Sequence, residues 1–244
     1  DGIDIKKIKI ASLRRHFGQM LQDVFLFSGT IRSNIVLREE GFTDEQIWEA
    51  CRYVNADNTP TQFKIASFDD FLEQFKGRCY INIDKFWDNP KKIYEAIKRH
   101  GMIDQVLVKS SVNAKVLRTL ENLCPELPFM PIVKENHPSH DDLMGRNINY
   151  VGVECVFAKD TAPITQDEFI EKMHGDGKLV WMNSIIYNYK DQLCGGHSDD
   201  TALTVSEDDG WGWIADKNVD FIQTDWTMML IDYLKRTGKY YKNK

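Results

Sequence analysis

The sequence predicts an α/β fold of the (β/α)8 barrel type that lacks its first two βα units and follows a short α/β segment of different character. Three observations predict it. From residue 79 onward, apolar strand-like runs alternate six times with helical runs, the pattern of a parallel sheet with helices outside. The run Cys79-Tyr-Ile-Asn-Ile-Asp-Lys-Phe86 alternates apolar residues with Asn82 and Asp84. A carboxylate therefore stands where a strand passes into its loop, the place where such barrels keep their ligands. The length of 244 residues suits one barrel or two small domains.

The elements follow in order. Asp1-Gly-Ile-Asp-Ile5 and Gln19-Met-Leu-Gln-Asp23 read as short strands, with a helical turn over residues 11–17 between them. A helix is expected over residues 43–54, because Thr43 and Gln46 stand at capping-box spacing. Ser67 and Asp70 open another helix, over 67–75, and Gly77 ends it. The strand at 79–86 is followed by a helix over 89–100, with Asn89 as N-cap and Pro90 at its first position. Further strands are expected at 105–110, 129–133, 150–157, 178–183 and 219–225. Helices are expected at 114–123, 139–143, 165–174 and 228–235. Residues 195–200 read as a flexible polar loop.

Composition narrows the function. The net charge of −6 argues against broad binding to nucleic acid or acidic membranes, but leaves room for a small phosphate-bearing molecule at a local site. The five cysteines show no CxxC spacing and lie mostly in apolar runs, as expected of reduced thiols in a cytoplasmic protein. No apolar run approaches the roughly 20 residues of a membrane span. The chain opens at Asp1 without a signal-peptide pattern, which reads as an excised piece.

Two resemblances divide the chain. Asp1-Gly-Ile-Asp-Ile5, Leu13-Arg-Arg15 and Gln22-Asp-Val-Phe-Leu-Phe-Ser-Gly-Thr-Ile-Arg-Ser-Asn-Ile35 resemble the middle of an ABC-transporter nucleotide-binding domain of the exporter type. The resemblance ends at Asn58, which gives a domain over 1–58. It implies that Gln22 is the Q-loop glutamine, a nucleotide-related residue. The phosphate loop GxxxxGK[ST], whose amides and lysine hold phosphates, is absent from the sequence, as is an LSGGQ-type signature.

Residues 59–244 form the second domain. Ile81-Asn-Ile-Asp84, Asp104-Gln-Val-Leu-Val-Lys-Ser110, Val180-Trp-Met-Asn183, Gly195-Gly-His-Ser-Asp-Asp200 and Gly212-Trp-Ile-Ala-Asp-Lys-Asn-Val-Asp-Phe-Ile-Gln-Thr-Asp225 resemble the later part of a glycerophosphodiester phosphodiesterase. The resemblance implies a metal-dependent (β/α)8 hydrolase that releases an alcohol and glycerol 3-phosphate. It implies Asp84 as a ligand for Mg²⁺ or Ca²⁺, and Trp181 with Asn183 in the pocket wall. The six strands correspond to the family's third to eighth. The family's His-Arg-Gly strand, its Glu-x-Asp strand and the following His-Asp pair have no counterpart here. Its commoner Glu-x-Lys is altered too: Lys85 directly follows Asp84, so the two side chains leave opposite faces. A chimeric chain with impaired or no hydrolysis is the expectation, with an interaction piece of transporter type or a non-functional fusion as alternatives.

The candidate site residues each carry a second interpretation. Asp84 is a metal ligand or a loop-bonding aspartate. Glu154, inside an apolar strand, needs a partner; it faces substrate or metal at the barrel mouth, or pairs with Lys109 or Lys134 in a packed layer. Lys109 ends its strand and could meet a phosphate oxygen as a point charge. Trp181 is pocket wall or core. His197 serves a functional loop or is merely solvated. His137 and His140, three apart across Pro138, read as a surface loop and helix start, and His16 and His100 as ordinary surface histidines. The expected partner is a small phosphodiester, without nucleic acid; the open edges of a six-stranded sheet predict pairing with a second copy of the chain.

Overall fold

The structure, a computed structural model, describes residues 41–53, 66–186 and 193–240. The chain divides into two compact units, Asp1–Ile65 and Ala66–Lys244. The strands and turn expected before residue 41, and Gln22 and His16 with them, lie outside the described residues. In the first unit the described element is α1, Asp44–Tyr53. Its start is the expected capping box. The Gln46 amide donates to Thr43 Oγ1 at 3.3 Å, and the Thr43 amide to Gln46 Oε1 at 2.9 Å.

The second unit opens with α2, Phe68–Phe75, closed by a full Ser67–Asp70 capping box. Six strands follow: β1 Ile81–Asn82, β2 Val106–Ser110, β3 Phe129–Lys134, β4 Gly152–Val156, β5 Leu179–Asn183 and β6 Phe221–Gln223. They form one sheet in the order β1-β2-β3-β4-β5-β6, and every pair is parallel. Parallel neighbours need a crossover, and helices supply it. These are α3 Pro90–Arg99, α4 Ala114–Leu123, α5 His140–Met144, α6 Asp167–Gly175, and the pair α7 Asp199–Thr204 and α8 Trp213–Asp216. A last helix, α9 Thr227–Arg236, follows β6. The architecture is a partial (β/α)8 barrel.

Strand alternation separates two faces of the sheet. Val106, Val108 and Phe129 pack with Tyr94 and Ile97 of α3 and Leu120 of α4. Val133, Val153, Cys155, Val180 and Met182 pack with Ile170 and Met173 of α6. Lys109, Glu154, Trp181 and Asn183 alternate with these residues and so leave the opposite face. The register sets Glu154 beside Ile132 on one side and Trp181 on the other, and Trp181 beside Phe221.

Several local expectations are corrected. The strand expected over 79–86 is regular only at Ile81–Asn82. Asp84 and Lys85 turn the chain, and Phe86–Asp88 form a 3-10 turn that buries Phe86. Asn89 precedes α3 with Pro90 in its first turn, but its side chain makes no capping bond. The helix expected from residue 165 begins at Asp167: Thr165 ends a 3-10 turn with its hydroxyl donating to the carbonyls of Asp160 and Ala162, and Gln166 stands at the N-cap of α6. The polar loop expected over 195–200 ends at Ser198, the N-cap of α7, which accepts from the Thr201 amide; Asp199 and Asp200 are helical. A π-turn at Asp208–Gly212 then leads into α8.

Candidate functional site

Four of the residues singled out in the sequence meet on the face turned away from the helices. Lys109 is the penultimate residue of β2 and Glu154 the central residue of β4. The Lys109 ammonium lies 2.9 Å from Glu154 Oε2. Asn183, the last residue of β5, donates from Nδ2 to Glu154 Oε1 at 2.8 Å. Trp181 donates its indole N–H to Asn183 Oδ1 at 3.3 Å, and Lys109 Nζ sits 4.0 Å from the centre of the Trp181 ring. Lys109, Glu154 and Asn183 are each more than nine-tenths buried, with exposures of 8%, 7% and 2%. Trp181 is half-buried and leans on Phe221 at a ring distance of 5.2 Å. The pairing partner of Glu154 is thus Lys109, and Lys134 stays exposed.

The polar accounting of this cluster is incomplete. The Lys109 contact with Glu154 Oε2 is an ion pair outside hydrogen-bonding direction, and Oε2 accepts no hydrogen bond although it is buried. A buried charge without its full set of partners is costly. The cluster is therefore a buried zwitterionic pair with one acceptor oxygen still open.

Asp84 stands apart from it. The carboxylate is exposed, and its Oδ1 accepts from Asn82 Nδ2 at 2.8 Å. Among the described residues, no three His, Cys, Asp or Glu side chains gather where they could hold a metal ion. Mg²⁺ and Ca²⁺ want several oxygen ligands. The residues present around Asp84 do not fit the metal that the resemblance implies, and no chemical step is derived through one.

His197 also sits outside the cluster, and it is not simply solvated. Its ring stacks on Trp213 at 3.9 Å with the planes 1° apart. Nε2 lies 3.1 Å from Asp160 Oδ1, and Nδ1 meets the Asp209 carbonyl. It ties the loop after β4 to the segment after β5.

Sequence reasoning passed over Asp199. This buried carboxylate accepts at Oδ1 from Ser184 Oγ, Trp211 Nε1 and Thr224 Oγ1, each at 2.7 Å, and at Oδ2 from the Asp225 amide at 3.0 Å. It clamps the ends of β5 and β6 beside Asn183. The signal lay in Gly-Gly-His-Ser-Asp-Asp, where attention to the histidine hid the capping serine and the aspartate after it.

A second polar group lies between the helices. His140 is buried rather than on the surface; Nδ1 lies 3.0 Å from Tyr150 Oη and Nε2 2.9 Å from Asp176 Oδ2. His137 Nε2 lies 2.9 Å from the same hydroxyl. Burial, helped by the neighbouring His140, lowers the His137 pKa to about 4. His100 lies between Asp69 and Glu73 and is largely covered. Burial pushes the Cys155 and Cys194 thiols up, away from thiolate chemistry. All cysteines are free, and Cys79 alone among them is exposed. Among the described residues, no helix is long and apolar enough to cross a membrane.

Comparisons with known proteins match stretches of very different length. Residues 129–234 match the family model DUF4996, a domain of unknown function. A candidate glycerophosphodiester phosphodiesterase from Galdieria sulphuraria shares the fold. The match has a TM-score of 0.50 and 14% identity, and covers 86% of this chain and 79% of that one. Curated relatives match only over a short stretch. An uncharacterized ABC transporter ATP-binding protein of Bacillus subtilis, YwjA, is 50% identical over 52 residues, 21% of this chain and 9% of its own length. Another, y4gM of Sinorhizobium fredii, is 52% identical over 56 residues, 23% of this chain and 10% of its own. The chain thus spans about a tenth of the length of these relatives.

Proposed function

We propose that the second unit is a phosphodiesterase-type partial barrel that binds a glycerophosphodiester or its product without hydrolysing it. The observation that carries this reading is the convergence of Lys109, Glu154, Trp181 and Asn183 from three strands onto one buried cluster. Side chains held on strands are precisely spaced by the sheet, which suits recognition. The hydrolytic part is what the sequence does not carry. Cleaving a phosphodiester needs charge stabilisation at the phosphoryl group and a positioned acid and base. Lys109 already faces a carboxylate, and His197 is engaged with Asp160 and Trp213. Neither is a free catalytic group. A transporter-type interaction piece remains the second reading for the first unit, supported by the short matches to ABC ATP-binding proteins.

Calorimetric titration of the whole chain with glycerophosphocholine tests the binding claim. Saturable heat in the wild type, reduced at least about tenfold in affinity by Trp181→Ala, is expected, since aromatic truncation at a contact site commonly costs that much. No heat in wild-type protein would overturn it.

A further inference from the structure

We infer that the Lys109–Glu154–Asn183 cluster is a polyol subsite: it takes the neutral hydroxyl groups of a glycerol-like ligand, not its phosphate. The inference rests on the binding reading above and names which part of the ligand the cluster meets.

The argument is one of charge and of donors against acceptors. Lys109 was expected to meet a phosphate oxygen. Its ammonium lies 2.9 Å from Glu154 Oε2, so the pair is electrically neutral as a unit. An incoming phosphate would face the glutamate at nearly the same distance as the lysine, and the two interactions oppose each other. A carboxylate offers only acceptors, and a phosphate is mainly an acceptor as well. Glu154 Oε2 is buried and paired to the Lys109 ammonium at 2.9 Å, but it accepts no hydrogen bond and keeps lone-pair capacity open. What completes it is a group that can donate.

A hydroxyl donates and accepts at once. It can give its proton to Glu154 Oε2 and accept from the Lys109 ammonium beside it. Asn183 fixes the other oxygen of Glu154 through Nδ2, and its own carbonyl is held by the Trp181 indole. This chain of bonds orients Oε2 before any ligand arrives. Adjacent hydroxyls, as in glycerol or a sugar, match the mixed set, and the half-buried Trp181 gives their carbon skeleton an apolar surface. A site of this kind rejects analogues without hydroxyls, because they leave a buried polar atom unpaired.

The Trp181 indole N–H, bonded to Asn183, is the reporter. Its proton–nitrogen cross-peak, assigned by its loss in Trp181→Phe, would be followed in whole-chain protein titrated with glycerol, propane and inorganic phosphate. Glycerol is expected to move the peak saturably while propane and phosphate leave it in place. Glu154→Gln removes the open acceptor and leaves Lys109 without its counter-charge. This variant is expected to lose at least about tenfold in apparent glycerol affinity and to begin responding to phosphate. A wild-type peak moved by phosphate but not by glycerol overturns the inference, and so does a peak moved by neither. The wild-type titrations decide this even if Glu154→Gln does not fold. If glycerophosphocholine gives calorimetric heat while glycerol leaves the peak unmoved, the subsite assignment falls and the binding function stands. If neither ligand binds, both fall.

Discussion

His137 shows how one position couples packing to pH. Its ring sits between Tyr150, His140 and Phe169, and burial makes its charged form costly. The folded pKa of about 4 lies below the ordinary 6.5. The unfolded chain therefore binds this proton first as pH falls. Stability from this group is complete above pH 6.5 and drains away as pH drops toward 4. Urea denaturation at pH 7 and pH 4.5 should show a larger loss in the wild type than in His137→Gln, which keeps a donor for Tyr150 but cannot charge. Equal losses would show that His137 does not titrate across that window. At this scale the sequence was only partly legible. The spacing of His137 and His140 across Pro138 suggested a surface loop, because nothing local announces that Tyr150 and Asp176 will close over them from later in the chain. Glu154 was more legible: a carboxylate inside an apolar strand must find a partner. The choice between Lys109 and Lys134 needed the register. Alternation places both lysines on the same face of the sheet, yet Lys134 ends its strand exposed while Lys109 is drawn under Trp181.

At the level of elements, β4 is the strand on which the candidate site depends, and Gly152 lets it close on its neighbours. A Cβ there would stand 2.4 Å from the Leu179 carbonyl oxygen and 2.9 Å from Met130 Cε. No side chain fits without moving β4 from β5. Gly152→Ala is expected to lower stability by about 1–3 kcal/mol, the usual cost of overpacking. It should also disturb the Trp181 indole resonance, because Glu154 lies two residues farther along the same face. Thermal melting and the indole cross-peak check both; an unchanged melting temperature would contradict the close packing. The main strands and helices were readable because their periods differ, two against 3.6. What failed were segments governed by turns. Phe86 is pulled into the core by a 3-10 turn, which cuts β1 short. Ala202 and the Tyr233 hydroxyl approach Gly210 and Gly212 so closely that these glycines mark tight contacts, which no local sequence pattern announces.

At the scale of the whole molecule, the six-stranded sheet seen among the described residues raises the question of what its outer strands do. Among the described residues, β1 and β6 each have one strand neighbour. They are also the shortest strands, two and three residues long. Short edges expose few unpaired backbone groups and limit strand-to-strand association. The parallel order followed directly from the alternation of elements, and the likeness to a phosphodiesterase fold agrees with it. The central claim is that this fold holds a ligand-facing cluster without the machinery to cut a phosphodiester. Phosphorus NMR on the whole chain with glycerophosphocholine and added Mg²⁺ or Ca²⁺ tests this most directly. The account predicts that the diester resonance persists and that no glycerol 3-phosphate signal grows with time. Steady, metal-dependent conversion that is lost in Asp84→Ala would contradict it.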